Sequence, residues 1–262
     1  MQVQVKGERA YAYTGGKPVD SGRPSVVFVH GAGGDHSGWI LQSRYFAYHG
    51  WNSLAVDLPG HGRSAGPALS DIGALANWVV SLLDVLDLSG AAVVGHSMGS
   101  LVALESAVRY PQRTTRIALL GTSVPMPVGG PLLEAAEADR HLAFDMVNIW
   151  GHSYRAQLGG NPVPGMWLTG AALRVLEDSC PGVLYTDLKA CDQYLDGLNN
   201  ASAVSCPVLL LLGKEDMMTR PKGAQALVAN LNDVHQIVLD GCGHMLMGEC
   251  PDAVLDALIE FL

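Results

Sequence analysis

The sequence predicts an α/β protein, a doubly wound and mostly parallel sheet with a block of helices inserted between two of its strands. Three observations carry this. Short apolar, β-branched runs alternate along the chain with segments of helical periodicity, the pattern of a parallel sheet covered on both faces. Each run ends in a cluster of turn formers such as Gly31-Ala32-Gly33-Gly34 or Gly121-Thr122-Ser123. The alternation then lapses for about eighty residues after Val124, where prolines and amphipathic helical stretches take over, before strand signals return at Pro207.

Taken in order, residues 2–5 and Arg9 to Thr14 alternate polar and apolar around Gly7 and read as an edge hairpin. Ser25 to His30 (SVVFVH) is a strand buried on both faces. A helix is expected from about Ser37 to His49, with Ser37 as its cap. Trp51 to Val56 is the next strand, followed by the turn-rich loop Asp57 to Ser64. Ser70 to Leu86 is helical by the recurrence of Ile72, Leu75, Ala76, Val79, Leu82, Leu83 and Leu86, with Ser70 as the expected N-cap. Ala91 to Arg109 reads as strand, sharp turn and helix, which Pro111 closes, and Arg116 to Leu120 as another strand.

Helices are expected near 131–144, 145–157, 167–179 and 183–197, separated by Gly159-Gly160-Asn161-Pro162 and by Pro181-Gly182. A strand at Pro207 to Leu212, a helix near 221–231, a strand at 235–239 and a helix at 251–261 finish the chain. The organisation expected is a core from 1–123 and 205–262 with residues 124–204 inserted as a helical lid.

At 262 residues the chain can bury a full core without staples. A net charge of −9 with no basic cluster argues against nucleic acid or an anionic membrane surface as partner. The five cysteines are odd in number and widely spaced, and they read as reduced thiols of a cytoplasmic protein. The amino terminus MQVQVKGERA has no apolar signal-peptide core. No Cys-x-x-Cys or His-x3-His metal spacing occurs, so neither metal nor organic cofactor is implied.

The chemistry concentrates at the turn Gly95-His96-Ser97-Met98-Gly99, a G-x-S-x-G pattern between a strand and a helix. A serine hydroxyl is a poor nucleophile unless it is exposed, rigidly held and partnered by a base, and a strand-to-helix turn supplies the first two conditions. In parallel sheets, sites gather at the carboxyl ends of strands. Ser97, the glycines after His30, Asp216 and His244 all follow predicted strands, and so fall on one edge of the sheet.

With these segments in hand, the chain resembles the α/β-hydrolase superfamily, in particular its lidded carboxylesterase, lactonase and C–C hydrolase branch. The likeness rests on His30-Gly31-Ala32-Gly33, the Asp57-to-Ser64 loop, Gly95 to Gly99, and the pair Asp216 and His244, in that order. It implies Ser97 as nucleophile, His244 as general base and Asp216 as the acid that orients it, with Glu215 as the adjacent alternative. It implies an oxyanion hole from the amides of Met98 and Ala32, with Gly33 as the alternative second donor. His30 and His96 read as structural. His36, His49, His61, His141, His152 and His235 are expected on the surface or in the lid. Gly31, Met126, Met146, Trp150, Trp167 and Met245 are the candidate pocket residues, although most large lid residues read as packing and two or three as substrate contacts.

The expected reaction is hydrolysis of a small to medium, fairly apolar carboxylic ester through an acyl-enzyme on Ser97. The expected partner is a small ester or lactone, and the chain is expected to act as a monomer or homodimer. C–C bond or enol-lactone hydrolysis by the same triad is the alternative, although no Trp follows His244. A ligand receptor that retains the triad is the alternative from another class.

Overall fold

A computed structural model describes every residue except 161 and 164. Of the expected break at Gly159 to Pro162, Asn161 therefore lies outside the described residues. Eight strands form one sheet: β1 (Gln2–Val5), β2 (Glu8–Tyr13), β3 (Ser25–Val29), β4 (Asn52–Asp57), β5 (Ala91–His96), β6 (Thr114–Leu120), β7 (Val208–Gly213) and β8 (Val234–Leu239). Their spatial order is β1-β2-β4-β3-β5-β6-β7-β8. The β1–β2 hairpin joins β4 antiparallel, and β3 to β8 run parallel.

The helices are α1 (Ile40–Tyr48), α2 (Ile72–Val85), α3 (Met98–Arg109), α4 (Gly130–Glu137), α5 (His141–Gly151), α6 (Tyr154–Gln157), α7 (Leu168–Glu177), α8 (Val183–Asp192), α9 (Gly197–Ala201), α10 (Gln225–Asn230), α11 (Leu246–Glu249) and α12 (Pro251–Phe261). Among the described residues, no helix is long and apolar enough to cross a membrane.

The continuous apolar runs of the strands follow from their position. Alternate side chains of each strand feed two separate cores. Val27, Val29, Val93, Leu119 and Leu210 pack under α2, α3 and α10. Val26, Phe28, Val94, Leu120 and Leu211 pack under α1 and α12. Helices thus cover both faces. The strand order reverses between β3 and β5, the crevice where open parallel sheets place their ligands.

The helices α4 to α9 occupy the interval between β6 and β7. Leu132, Ala135, Val147, Leu176, Leu184 and Leu188 give this segment its own small apolar cluster.

Element boundaries differ from the sequence reading where local polar groups intervene. The cap after β3 is Asp35, whose side chain accepts from Ser37 N, and a 3-10 turn at His36–Trp39 precedes α1. The cap of α2 is Asp71 rather than Ser70, since its carboxylate accepts from Ala74 N at 2.7 Å. The expected junction between 144 and 145 is displaced to 138–140, where Asp139 adopts a left-handed φ of 51°. A second break falls at Ser153, which caps α6. Periodicity alone runs through such interruptions.

At the turn between β5 and α3, backbone packs against backbone with no room for a side chain. A Cβ at Gly95 would overlap the Gly99 carbonyl, and one at Gly99 would overlap the Val29 and His30 carbonyls. Replacing Gly99 by Ala is expected to cost about 3 kcal/mol, since backbone rather than a flexible side chain blocks the methyl. Gly129→Ala, where nothing lies within 4 Å of the added Cβ, should stay within about 0.5 kcal/mol of wild type. Urea unfolding of the two variants checks the contrast, and equal midpoints would contradict it.

Candidate functional site

Ser97 sits between β5 and α3 at φ 53° and ψ −119°, a conformation that L residues rarely adopt. Such a residue costs about 1–3 kcal/mol and persists only where its surroundings hold it. Here Ser97 N donates to the Leu120 carbonyl of β6 at 2.9 Å, and Ser100 N donates back to the Ser97 carbonyl at 2.8 Å. The consequence is a half-buried serine at the sheet edge, at the start of a helix whose first amides have no intrahelical acceptor.

His244 follows β8 and is buried. Its Nδ1 lies 2.7 Å from Asp216 Oδ2. A carboxylate only accepts, so Nδ1 carries the proton and Nε2 keeps its lone pair. Asp216 follows β7 and is itself held by the Met218 and Thr219 amides and the Thr219 hydroxyl, each at 2.8 Å. Burial pushes the Asp216 carboxyl up, but the charge and hydrogen bond of His244, with the Thr219 bonds, outweigh it and hold the group well below the usual carboxylate range. Glu215, the adjacent alternative, is exposed.

Two further histidines brace this arrangement. His96 Nε2 donates to the His244 carbonyl at 2.8 Å. Burial and the neighbouring His244 push its pKa down to about 3, so the ring is a fixed neutral donor. His30 Nε2 accepts from Leu58 N at 3.1 Å, and its Nδ1 donates to the Gly31 carbonyl at 2.8 Å. Burial and the charge of His61 push it down to about 4.

Of the loop after β3, the Gly33 amide is already taken by Asp187 Oδ2 at 2.8 Å. That carboxylate reaches in from α8 and also meets His61 Nε2 at 2.8 Å. His61 Nδ1 lies 3.0 Å from the Pro59 carbonyl, so both ring nitrogens face acceptors. Burial disfavours the charged ring, but Asp187 and the Pro59 carbonyl overcome that and raise its pKa. The result is a buried ion pair joining α8, the loop after β4 and the loop after β3. His61, expected at the surface, is 1% exposed, and sequence offered no sign of its partner 126 positions away.

Asp35, His36 and Asp57 bring three possible metal-ligand atoms within 4.8 Å of one another. The Asp57 oxygens already accept from His36 N, His36 Nδ1 and Arg63 N. The cluster therefore acts as a brace for the loop after β4.

Ser97 and His244 line one cavity of about 470 Å³. Gly31, Ala32, Met126, Trp150 and Met245 line it too. Two expected pocket residues do not. Trp167 is 75% exposed at the start of α7, and Met146 packs into the apolar cluster of the helical segment. Amphipathic periodicity says that a helix has an apolar face, but not whether that face meets a cavity or another helix.

Six of the nine methionines line the cavity: Met126, Met166, Met217, Met218, Met245 and Met247. Met217 and Met218 escaped the sequence reading, although they directly follow Asp216. Among the described residues, no Lys or Arg lines this space. His152, expected as a surface or lid residue, is buried and lines it.

Comparison with known proteins gives consistent likenesses. A family model described as alpha/beta hydrolase matches residues 26–257. The (E)-2-((N-methylformamido)methylene)succinate hydrolase of Acinetobacter baylyi is 25% identical over 244 residues, covering 90% of this chain and 89% of that protein. The 2-hydroxy-6-oxononadienedioate/2-hydroxy-6-oxononatrienedioate hydrolase of Burkholderia vietnamiensis is 27% identical over 259 residues, covering 92% and 88%. The crystal structure of the enol-lactonase from Burkholderia xenovorans superposes with a TM-score of 0.88 at 23% identity, covering 100% of this chain and 99% of that one.

The neutral histidines make stability depend on acid. His30 and His96 stay unprotonated in the folded chain until about pH 4 and 3. Unfolded, each takes up a proton below about pH 6.5. Stability is therefore full above that pH and falls as pH drops, by up to about 1.4 kcal/mol per pH unit for each group. His61 has the opposite sign: its contribution is present below about pH 6.5 and lost as pH rises through its elevated folded pKa. Unfolding free energy measured from pH 7 to 4.5 should fall, and His96→Gln should flatten the slope. A slope unchanged by the substitution would contradict this assignment.

Proposed function

The chain belongs to the alpha/beta hydrolase family, and from that premise we propose that it is a serine hydrolase cleaving a carboxylic ester of a small to medium, apolar substrate. The observation that carries the reading is the bond of Asp216 to His244 at the edge of an apolar cavity that Ser97 also lines. In this reading residues 124–204 are a lid over a core of 1–123 and 205–262.

Asp216 fixes the His244 tautomer and stabilises the imidazolium formed during reaction. His244 Nε2 takes the Ser97 proton as Oγ attacks the ester carbonyl. The oxyanion that forms is received by the amides of Met98 and Ala32. With the Gly33 amide donated to Asp187, Ala32 is favoured over Gly33 for the second donor. Each such donor is worth about 3 kcal/mol in the transition state. The alcohol leaves with the proton from His244, and water activated by the same ring releases the acid. The odd number and wide spacing of the five cysteines support a reducing, cytoplasmic setting.

A second reading, C–C bond or enol-lactone hydrolysis with the same triad, is favoured by the similarity to the oxononadienedioate hydrolase. That substrate carries two carboxylates by name. A cavity without Lys or Arg among its described lining residues leaves such charges without a cationic partner, which is costly in a desolvated site. Methionine-rich walls suit neutral chains of varied shape.

Steady-state hydrolysis of p-nitrophenyl esters from acetate to octanoate tests the main reading. Wild type should turn over repeatedly. Ser97→Ala and His244→Ala should each lower kcat/KM by roughly 10⁴-fold or more, because the two act as a unit. Equal, slow rates in wild type and Ser97→Ala would sink the proposal, as would a single turnover per chain. A carboxylate-bearing dienoate should react at least about 100-fold more slowly than a neutral ester, for want of a counter-charge. A dienoate that reacts faster than every ester would transfer the assignment to the second reading.

A further inference from the structure

His152 follows the last turn of α5 with its side chain inside the cavity wall, the residue being 3% exposed. Its Nδ1 lies 2.7 Å from the Asn148 carbonyl. That oxygen only accepts, so Nδ1 carries the proton. Burial and the nearby His244 favour the neutral ring, against the Asn148 bond and the charge of Glu249. Nε2 then keeps a lone pair, and among the described residues nothing donates to it.

The ring is firmly placed. The Gly151 carbonyl accepts from both His244 N and Met245 N at 3.0 Å. The His152 carbonyl accepts from Gln157 Nε2 at 2.9 Å, and Ser153 N donates to Glu249 Oε2 at 3.1 Å. His96 also keeps a lone pair, at Nδ1, but Gly31 packs so closely there that an added Cβ would come within 3.0 Å. His152 is thus a buried residue with an acceptor free at Nε2, held beside His244 in a cavity wall that is otherwise mostly apolar. An acceptor so placed is satisfied by a ligand that brings a donor.

We propose that His152 is a specificity-determining residue that accepts, through Nε2, a hydrogen bond from a hydroxyl or amide N–H of the substrate. The inference rests on the reading of this cavity as the hydrolase site. It narrows the substrate class to esters or lactones whose apolar body bears one such donor. A site built to hydrogen-bond a substrate group discriminates against the analogue that lacks it.

The test uses the full chain carrying Ser97→Ala, so that ligands bind without turning over. Calorimetry compares ethyl butyrate with its 2-, 3- and 4-hydroxy derivatives, and an N-acylglycine ethyl ester with its N-methyl counterpart. At least one donor-bearing ligand should bind about tenfold more tightly than its partner. His152→Asn places an amide near the Nδ1 position, preserving the bond to Asn148 while removing the acceptor at Nε2, and should bring that ratio close to one. His152→Gln offers an acceptor near Nε2 and should retain part of it. Melting temperatures of both variants verify folding. No donor preference in the Ser97→Ala chain overturns the proposal without any His152 variant, and a preference that survives His152→Asn also overturns it. Turnover of the same esters by wild type reports separately on the hydrolase reading. Absent turnover with the donor preference intact would remove that reading and leave the role of His152 in binding.

Discussion

The first turn of α3 approaches the backbone of β3 so closely that no side chain fits between them. Gly99 faces the Val29 and His30 carbonyls, and Gly95 faces the carbonyl of Gly99. This contact fixes where the helix starts, and with it the rare backbone conformation of Ser97. The strain of about 1–3 kcal/mol at that residue is held by the sheet on one side and the helix on the other. Everything proposed for the chemistry depends on it. The serine stands at the sheet edge, the Met98 amide is left without an intrahelical acceptor, and the loop after β3 lies alongside.

A second level of organisation joins the helices between β6 and β7 to that edge. The joints are polar and buried. Asp187 of α8 holds the Gly33 amide and the charged ring of His61. The end of α5 holds the backbone of the His244 loop through a single carbonyl. Buried ion pairs are weak sources of net stability, and their removal by halves is costly. Their effect here is to fix position: the loop that carries Ala32 is set by a carboxylate from a helix more than 150 residues further along the chain.

The sheet and the candidate site were readable from sequence for one reason. Strands buried on both faces are written as unbroken apolar runs, and chemistry in a parallel sheet gathers where such runs end. Ser97 and Asp216 each follow such a run and His244 follows the half-exposed edge strand β8, so three residues far apart in sequence are expected on one edge, and there they stand. The Asp216–His244 bond gives that expectation a distance. The helical segment was harder. Trp167 and Met146 have the size and apolarity of pocket residues but point elsewhere, because periodicity leaves open what an apolar face meets. The His61–Asp187 pair left no local trace, since its partners lie 126 positions apart. His152 reads from sequence as a surface or lid residue within the expected helix 145–157, and only burial beside His244 distinguishes it. The caps Asp35 and Asp71 were missed in favour of nearby serines, since each of these residue types can cap a helix.

The Gly151 carbonyl, which receives both His244 N and Met245 N, has a consequence for how this chain can diverge. It makes the helical segment and the last loop of the core a joint inheritance. A segment exchanged for another would have to bring a carbonyl in register for His244 and a carboxylate for His61 and Gly33 to share. New specificity is therefore reached most readily by single substitutions along the methionine-lined wall, with the joints left intact.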